Sequence, residues 1–271
     1  MSQKLFDMLQ ERGFVKDMTH PEQIKNLLNG DKKITFYLGI DPTADSLHIG
    51  HFFALRMFRH LQNAGHRGIL VIGGATSLVG DPTGKSDMRK MLTKEQVQHN
   101  LEEVKQLASH FVLPGTEIVN NADWMNKFTY VDFMRLVCVH FNVNTMLASE
   151  AYARRRENGG LTFLEMGYMP MQAYDFVHLY NDKGCVLEIG GSDQWGNIVA
   201  GTELFRKMNL KGQIGIALDM IPKIPATDKP EDIKTAQVAN AVMQDYFYDA
   251  IVKGKYPELA LEWYKKKFAS Q

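Results

Sequence analysis

The order of apolar runs along this 271-residue chain predicts an α/β fold, a parallel sheet with flanking helices. Four short β-branched or apolar runs, 34–39, 68–73, 117–120 and 185–190, read as strands and alternate with helical patterns over 51–64, 93–111 and 191–208. Three of those runs end at clusters of glycine and polar residues, which is where open α/β sheets hold their ligands. The 45% hydrophobic content, with no low-complexity tract, is enough for one substantial core. A fifth run, 214–218, reads as the last strand. Residues 161–180 form a further helical pattern in which Pro170 starts or kinks the helix. Residues 130–152 read as a helical insertion between the two halves of the sheet.

Composition excludes several classes. Lys plus Arg and Asp plus Glu balance at 31 each, so no global basic field marks a nucleic-acid binder, and any RNA contact must be local. Cys138 and Cys185 stand far apart outside any CxxC spacing, which predicts buried thiols and neither a disulfide framework nor a metal site. The first thirty residues carry charges every few positions and no long apolar run, so the expectation is a cytoplasmic protein with no membrane partner.

Four clusters carry chemistry. In Tyr37-Leu38-Gly39-Ile40-Asp41-Pro42-Thr43 a strand ends at Gly39, Pro42 turns the chain, and a helix begins near His48-Ile49-Gly50-His51. Its free N–H groups and positive dipole end make an anion site. His48 and His51, three apart, face the same way and can donate to phosphate oxygens, while Gly50 lets a flat base lie against the backbone. An isolated HxxH is more often two exposed histidines; the Asp-Pro-Thr turn before it favours the site.

The second cluster, Gly73-Gly74-Ala75-Thr76 and Gly80-Asp81-Pro82-Thr83-Gly84-Lys85, does not match the Walker spacing. Asp81 is placed to hold an ammonium group, and Lys85 or Arg89 to reach a phosphate, against the reading of a solvated loop. In the third, Tyr168, Gln172 and Asp175 share one helix face with Leu164, Met171 and Leu179. A carboxylate on that face needs a donor, which a ligand's phenol hydroxyl would supply, with Tyr37 bonding the same hydroxyl. Standing alone, this set would equally be a polar cluster inside a core. The fourth, Gly190-Gly191-Ser192-Asp193-Gln194, brings backbone close to a ligand, offers Ser192 as a helix cap, Asp193 as an acceptor from ribose or ammonium, and Gln194 as a neutral amide near both.

These motifs occur in the order found in bacterial tyrosyl-tRNA synthetases, and the chain to about residue 210 resembles their catalytic domain, a class I enzyme unit of Rossmann type. Asn121-x-Asp123-Trp124, Phe141-x-Val143-Asn144 and the run Gly190 to Asn197 add to the likeness. The resemblance implies activation of L-tyrosine by Mg2+-bound ATP to tyrosyl-adenylate, transfer to tRNA(Tyr), and a homodimer joined through the 130–152 insertion. It implies that Tyr37 and Asp175 read the phenol hydroxyl, and that Asp81, Tyr168 and Gln172 hold the α-amino group. Gly39, Asp41, Gly50, Gly191 and Asp193 would line the nucleotide, Gln194 would sit near the carboxylate, and Thr43, His48 and His51 would steady the developing phosphate charge. Two alternatives stand beside this on the same residues: a relative that binds tyrosine or ATP without turnover, and a dimeric interaction protein; a tryptophan-activating relative fits Tyr37 and Asp175 less well.

Departures from the pattern lie late in the chain. The family's mobile lysine loop of the KMSKS type has no counterpart here, only Lys223 follows the last strand near where a phosphate lysine would be wanted, and the anticodon-reading module is not recognisable. Glu188 stands where the family usually has glutamine, and is expected to add negative charge near the substrate carboxylate. Residues 212–257 instead resemble an internal stretch of family 1 glycoside hydrolases, which gives the chain the look of a hybrid, engineered or recombined. About 60 residues cannot build the eight-stranded barrel with two carboxylates that such an enzyme needs. The expected organisation is therefore a synthetase-like domain over 1–220 and a helical tail over 221–271, with helices at 231–252 and 257–268.

Overall fold

The computed structural model describes residues 4–83, 91–157, 159–208, 210 and 214–218. The tail helices expected beyond residue 220 lie outside the described residues, as do Lys85, Arg89 and Lys223. In chain order the elements are α1 (Leu5–Glu11), β1 (Val15–Met18), α2 (Pro21–Asn29), β2 (Thr35–Ile40), α3 (Ile49–Asn63), β3 (Arg67–Ile72), α4 (Thr76–Val79), α5 (Lys94–Ser109) and β4 (Glu117–Asn120). There follow α6 (Ala122–Met125), α7 (Tyr130–Leu136), a 3-10 turn (Cys138–His140), α8 (Val143–Leu147), α9 (Glu150–Glu157), α10 (Phe163–Met166), α11 (Tyr168–Lys183), β5 (Cys185–Gly191), a second 3-10 turn (Ser192–Gln194), α12 (Trp195–Lys207) and β6 (Ile214–Leu218).

The strands form one sheet in the order β1-β6-β5-β2-β3-β4. All neighbours from β6 to β4 run parallel, as the alternation of strands and helices requires, and β1 alone is antiparallel, against β6. From β2 the chain steps outward to β3 and β4, then returns to β5 and β6 on the other side, so the crossover direction reverses between β2 and β5. That reversal opens a crevice at their carboxyl ends. Strand β1 was not legible in the sequence, since Val-Lys-Asp-Met is short, charged and only half-buried.

Period-two alternation sorts the sheet residues onto two faces. Phe36, Leu38, Ile40, Leu70, Leu187 and Ile189 pack with α1, α2, α3 and α5 in one core. Tyr37, Ile69, Val71 and Cys185 point the other way, into a second core with Ala173, Phe176 and Val177 of α11 and Leu204 and Phe205 of α12. Glu188, between Leu187 and Ile189 and paired in register with Tyr37, is thereby carried to the face of the second core.

Three helical expectations are corrected. The 161–180 pattern is two helices broken at Gly167, and Pro170 falls in the first turn of α11, where its missing N–H costs nothing. Leu164 belongs to α10 and is exposed, so it does not share the face of Met171 and Leu179. The 191–208 pattern begins as strand and 3-10 turn, with α12 starting at Trp195; its N-cap is Gln194, and Ser192 makes no capping bond. The insertion expected over 130–152 is a chain of short helices extending to Glu157. It is tied to α10 by a buried ion pair, Arg155 Nε to Glu165 Oε1 at 2.8 Å. The other Glu165 oxygen closes a capping box with Thr162 at the start of α10.

Candidate functional site

At the crevice between β2 and β5 lies a cleft of about 340 Å³. Its lining contains Tyr37, Gly39, Asp41, Thr43, His48, Gly50, His51, Asp81, Tyr168, Gln172, Asp175, Gly191, Asp193 and Gln194, and does not contain Ser192. They come from the ends of β2 and β5, the start of α3, the loop after α4, one face of α11 and the turn into α12.

The mouth is built from α3. His48 is its N-cap, and its Nδ1 accepts from the backbone N–H of Gly50 at 3.1 Å and of His51 at 3.4 Å. His51 Nδ1 accepts in return from the N–H of His48 at 3.3 Å, so the two histidines form a reciprocal capping box. Their rings stack with centroids 3.6 Å apart. An Nδ1 that accepts carries no proton, so each neutral ring keeps its proton on Nε2, as a donor directed away from the helix backbone. Burial, followed by the neighbouring His48, lowers the pKa of His51 to about 4, which keeps it neutral at pH 7.

The middle of the cleft is a web anchored on Asp41. It accepts from Tyr168 Oη at 2.9 Å and from Thr76 Oγ1 at 2.6 Å. Gly73 is required beside it, because a Cβ there would collide with the Asp41 carboxylate and the Thr76 hydroxyl. Asp81 is buried and accepts from the Thr83 N–H at 2.9 Å and from Gln194 Nε2 at 2.7 Å, while Gln194 Oε1 accepts from Asn197 at 3.0 Å. Gln194 thus braces Asp81 rather than standing free between two ligand groups. A Cβ built on Gly39 would meet nothing within 4 Å, so this position leaves a flat stretch of cleft wall.

The closed end holds Tyr37, Gln172, Asp175 and Glu188. Asp175 was expected to need a ligand hydroxyl as its donor; instead Trp124 Nε1 donates to Oδ1 at 2.7 Å and Asn121 Nδ2 to Oδ2 at 3.0 Å. Those bonds fix the carboxyl while each oxygen keeps a free lone pair. Burial, which outweighs these two donors, together with the charges of Asp41 and Glu188, raises its pKa to about 8. Glu188 Oε1 accepts from Gln172 Nε2 at 3.0 Å, and burial pushes this carboxyl up to about 7. Glu188 therefore sits beside Tyr37 and Gln172 at the closed end. Tyr37 is raised well above its ordinary value by burial and then by the Glu188 and Asp175 charges. Its hydroxyl is near enough to Glu188 for each to perturb the other, but the geometry falls short of a hydrogen bond. Among the described residues, Tyr37 Oη, Gln172 Oε1 and Glu188 Oε2 are buried without a hydrogen-bond partner.

Sequence reasoning missed the support behind this end. Asn121 binds Asp175, Thr76 Oγ1 at 3.0 Å and the Ala75 N–H at 2.8 Å, and Trp124, stacked on His178, orients Asp175. The signal was present as the Asn-x-Asp-Trp run directly after β4, read as a motif without a site role.

An open parallel sheet with a polar cleft at its switch point defines a Rossmann-like domain. A family model described as tRNA synthetases class I (W and Y) matches residues 29–229, and the chain belongs to that family. A tyrosine–tRNA ligase of Clostridium kluyveri is 49% identical over 222 residues, 81% of this chain and 54% of the relative. One of Clostridium botulinum is 50% identical over 220 residues, 80% of this chain and 54% of the relative. The chain spans about half the length of these curated relatives. Among solved structures, a C-terminally truncated Aspergillus nidulans mitochondrial tyrosyl-tRNA synthetase superposes with a TM-score of 0.72 at 22% identity, covering 90% of this chain and 85% of the other. An Archaeoglobus fulgidus tyrosyl-tRNA synthetase complexed with L-tyrosine gives 0.65 at 18%, covering 81% and 65%. These two likenesses bear on the fold.

Proposed function

We propose that the cleft binds L-tyrosine and Mg2+-ATP and joins them as tyrosyl-adenylate with release of pyrophosphate, the first half of a tyrosine–tRNA ligase reaction. The observation that carries this reading is the closed end, where an unpartnered Tyr37 hydroxyl and an Asp175 carboxyl held by Trp124 and Asn121 suit a phenol hydroxyl. Asp81, Tyr168 and Gln172 would hold the α-ammonium group, and Asp41, Asp193, Gly39, Gly50 and Gly191 the nucleotide. The tyrosine carboxylate attacks the α-phosphorus, the bond to the bridging oxygen of pyrophosphate breaks, and Thr43 and the Nε2 protons of His48 and His51 offset the charge that develops. No protein side chain forms a covalent bond, so positioning and electrostatic stabilisation supply the rate. Among the described residues no group of three or more metal-ligating side chains could hold an ion, so Mg2+ would arrive on ATP.

Transfer to tRNA(Tyr), a cytoplasmic site of action and the homodimer belong to the same reading. The dimer is supported by Tyr130, Val131, Leu136, Val139, Val143 and Phe163, each more than half exposed on or beside the helical insertion. No described helix is long and apolar enough to cross a membrane. The likeness of 212–257 to glycoside hydrolases, and the division at residue 220, are retained as readings of sequence origin and not of a second activity.

The test is ATP–pyrophosphate exchange driven by tyrosine, with phenylalanine and Asp175→Ala as controls. Exchange that requires both tyrosine and Asp175 supports activation; tyrosine bound without any exchange would reduce the protein to a binding relative.

A further inference from the structure

The helix that carries Tyr168, Gln172 and Asp175 receives no side-chain cap at its start. Gly167, the residue between α10 and α11, has none to offer, and Pro170 in the first turn has no N–H to bond. A residue of the helical insertion stands at this break instead. Tyr152 of α9 is 1% exposed and packs with Met146 and Met169. Its hydroxyl is shared between the last carbonyls of α10, donating to Met166 O at 3.2 Å and to Glu165 O at 3.4 Å. Burial raises its pKa above the ordinary value, the Met169 N–H in the first turn of α11 draws it back, and the Asp81 charge adds to the rise. The hydroxyl therefore lies within electrostatic reach of α10, α11 and the cleft together. Arg155, three residues further along α9, holds the Glu165 side chain, so two buried ties to the end of α10 come from one face of α9.

Resting on the tyrosine reading above, we propose that Tyr152 is a positioning residue, which fixes the break between α10 and α11 and thereby holds Tyr168 in place for the substrate's α-ammonium group. Tyr168 directly follows the break and donates to Asp41 at 2.9 Å, so any shift in the first turn of α11 reaches this contact first. Asp175 lies about two turns further on and is held separately by Trp124 and Asn121, which shields it from such a shift. Loss of the Tyr152 hydroxyl strands two buried carbonyls and loosens the ammonium end of the site while sparing the phenol end.

Titration calorimetry on the full chain tests this by comparing L-tyrosine and tyramine, which carry the ammonium group, with 3-(4-hydroxyphenyl)propionate, which lacks it. Tyr152→Phe keeps the ring and removes only the hydroxyl. It should bind the first two about tenfold more weakly than the wild-type protein does, and the third equally well. A variant that binds all three like the wild-type protein, or loses the same factor for all three, would overturn the positioning role and leave the tyrosine reading intact. Failure of the wild-type protein to bind tyrosine would overturn the tyrosine reading and this inference with it. If Tyr152→Phe does not fold, the wild-type protein decides. At matched occupancy tyrosine, but not 3-(4-hydroxyphenyl)propionate, should slow amide hydrogen exchange over α9 by about tenfold. Equal exchange with the two ligands would overturn the role of Tyr152.

Discussion

The two ends of the cleft are built in opposite ways. At the closed end, Asp175 is clamped by Trp124 and Asn121, Asn121 is itself tied to Thr76 and to backbone, and Glu188 is held by Gln172, all of them side-chain contacts across different elements. At the mouth, His48 and His51 hold each other through one helix turn and its own N–H groups, His48 exposed and His51 half-buried. The difference teaches where each kind of recognition has to be prepared. Reading one hydroxyl needs a carboxyl fixed before the ligand arrives, which a buried network can do. Offsetting charge that appears only during reaction needs donors at a helix start, which local sequence can supply.

The contrast can be broken first at Asp175. Asp175→Asn or Asp175→Ala should weaken tyrosine binding by on the order of 10³ or more, since the ligand hydroxyl loses the carboxyl that Trp124 and Asn121 hold in place for it. Binding titrations would read it directly. His48→Ala or His51→Ala should leave tyrosine affinity unchanged while slowing tyrosine-driven exchange by about 10² to 10³, because those donors act on the transition state. A smaller effect is expected for Trp124→Phe, which keeps the ring but removes the donor to Asp175; tyrosine should bind about tenfold more weakly.

Asp175 and Glu188 hold their protons more tightly when folded, at about 8 and about 7, than an unfolded carboxyl does at roughly 4. Their contribution to stability is therefore complete below about pH 4 and is lost as pH rises through about 7 and 8. Thermal unfolding midpoints should show Glu188→Gln gaining on the wild-type protein as pH rises from about 5 to 8. An unchanged difference across that range would mean that Glu188 does not carry the buried proton assigned to it.

The mouth was legible in the sequence because its geometry is local: a strand end, Pro42 and two histidines three apart already determine a helix start with paired rings. The sheet was legible for the same reason, since β2, β3, β4, β5 and β6 each announce themselves by a short apolar run. What stayed hidden depends on contacts far apart in the chain. Asn121 and Trp124 reach Asp175 across more than 50 positions, so neither could be assigned that task before β4 and α11 were seen side by side. Glu188 was visible as a change of residue, but its place was not: only the register of β2 on β5 sets it beside Tyr37.

Equilibrium dialysis of L-tyrosine against the wild-type protein, Asp175→Asn and His48→Ala tests the division between the two ends most directly. Equal affinity for wild type and His48→Ala, with binding lost in Asp175→Asn, is the predicted result. Asp175→Asn binding tyrosine as tightly as wild type would contradict it.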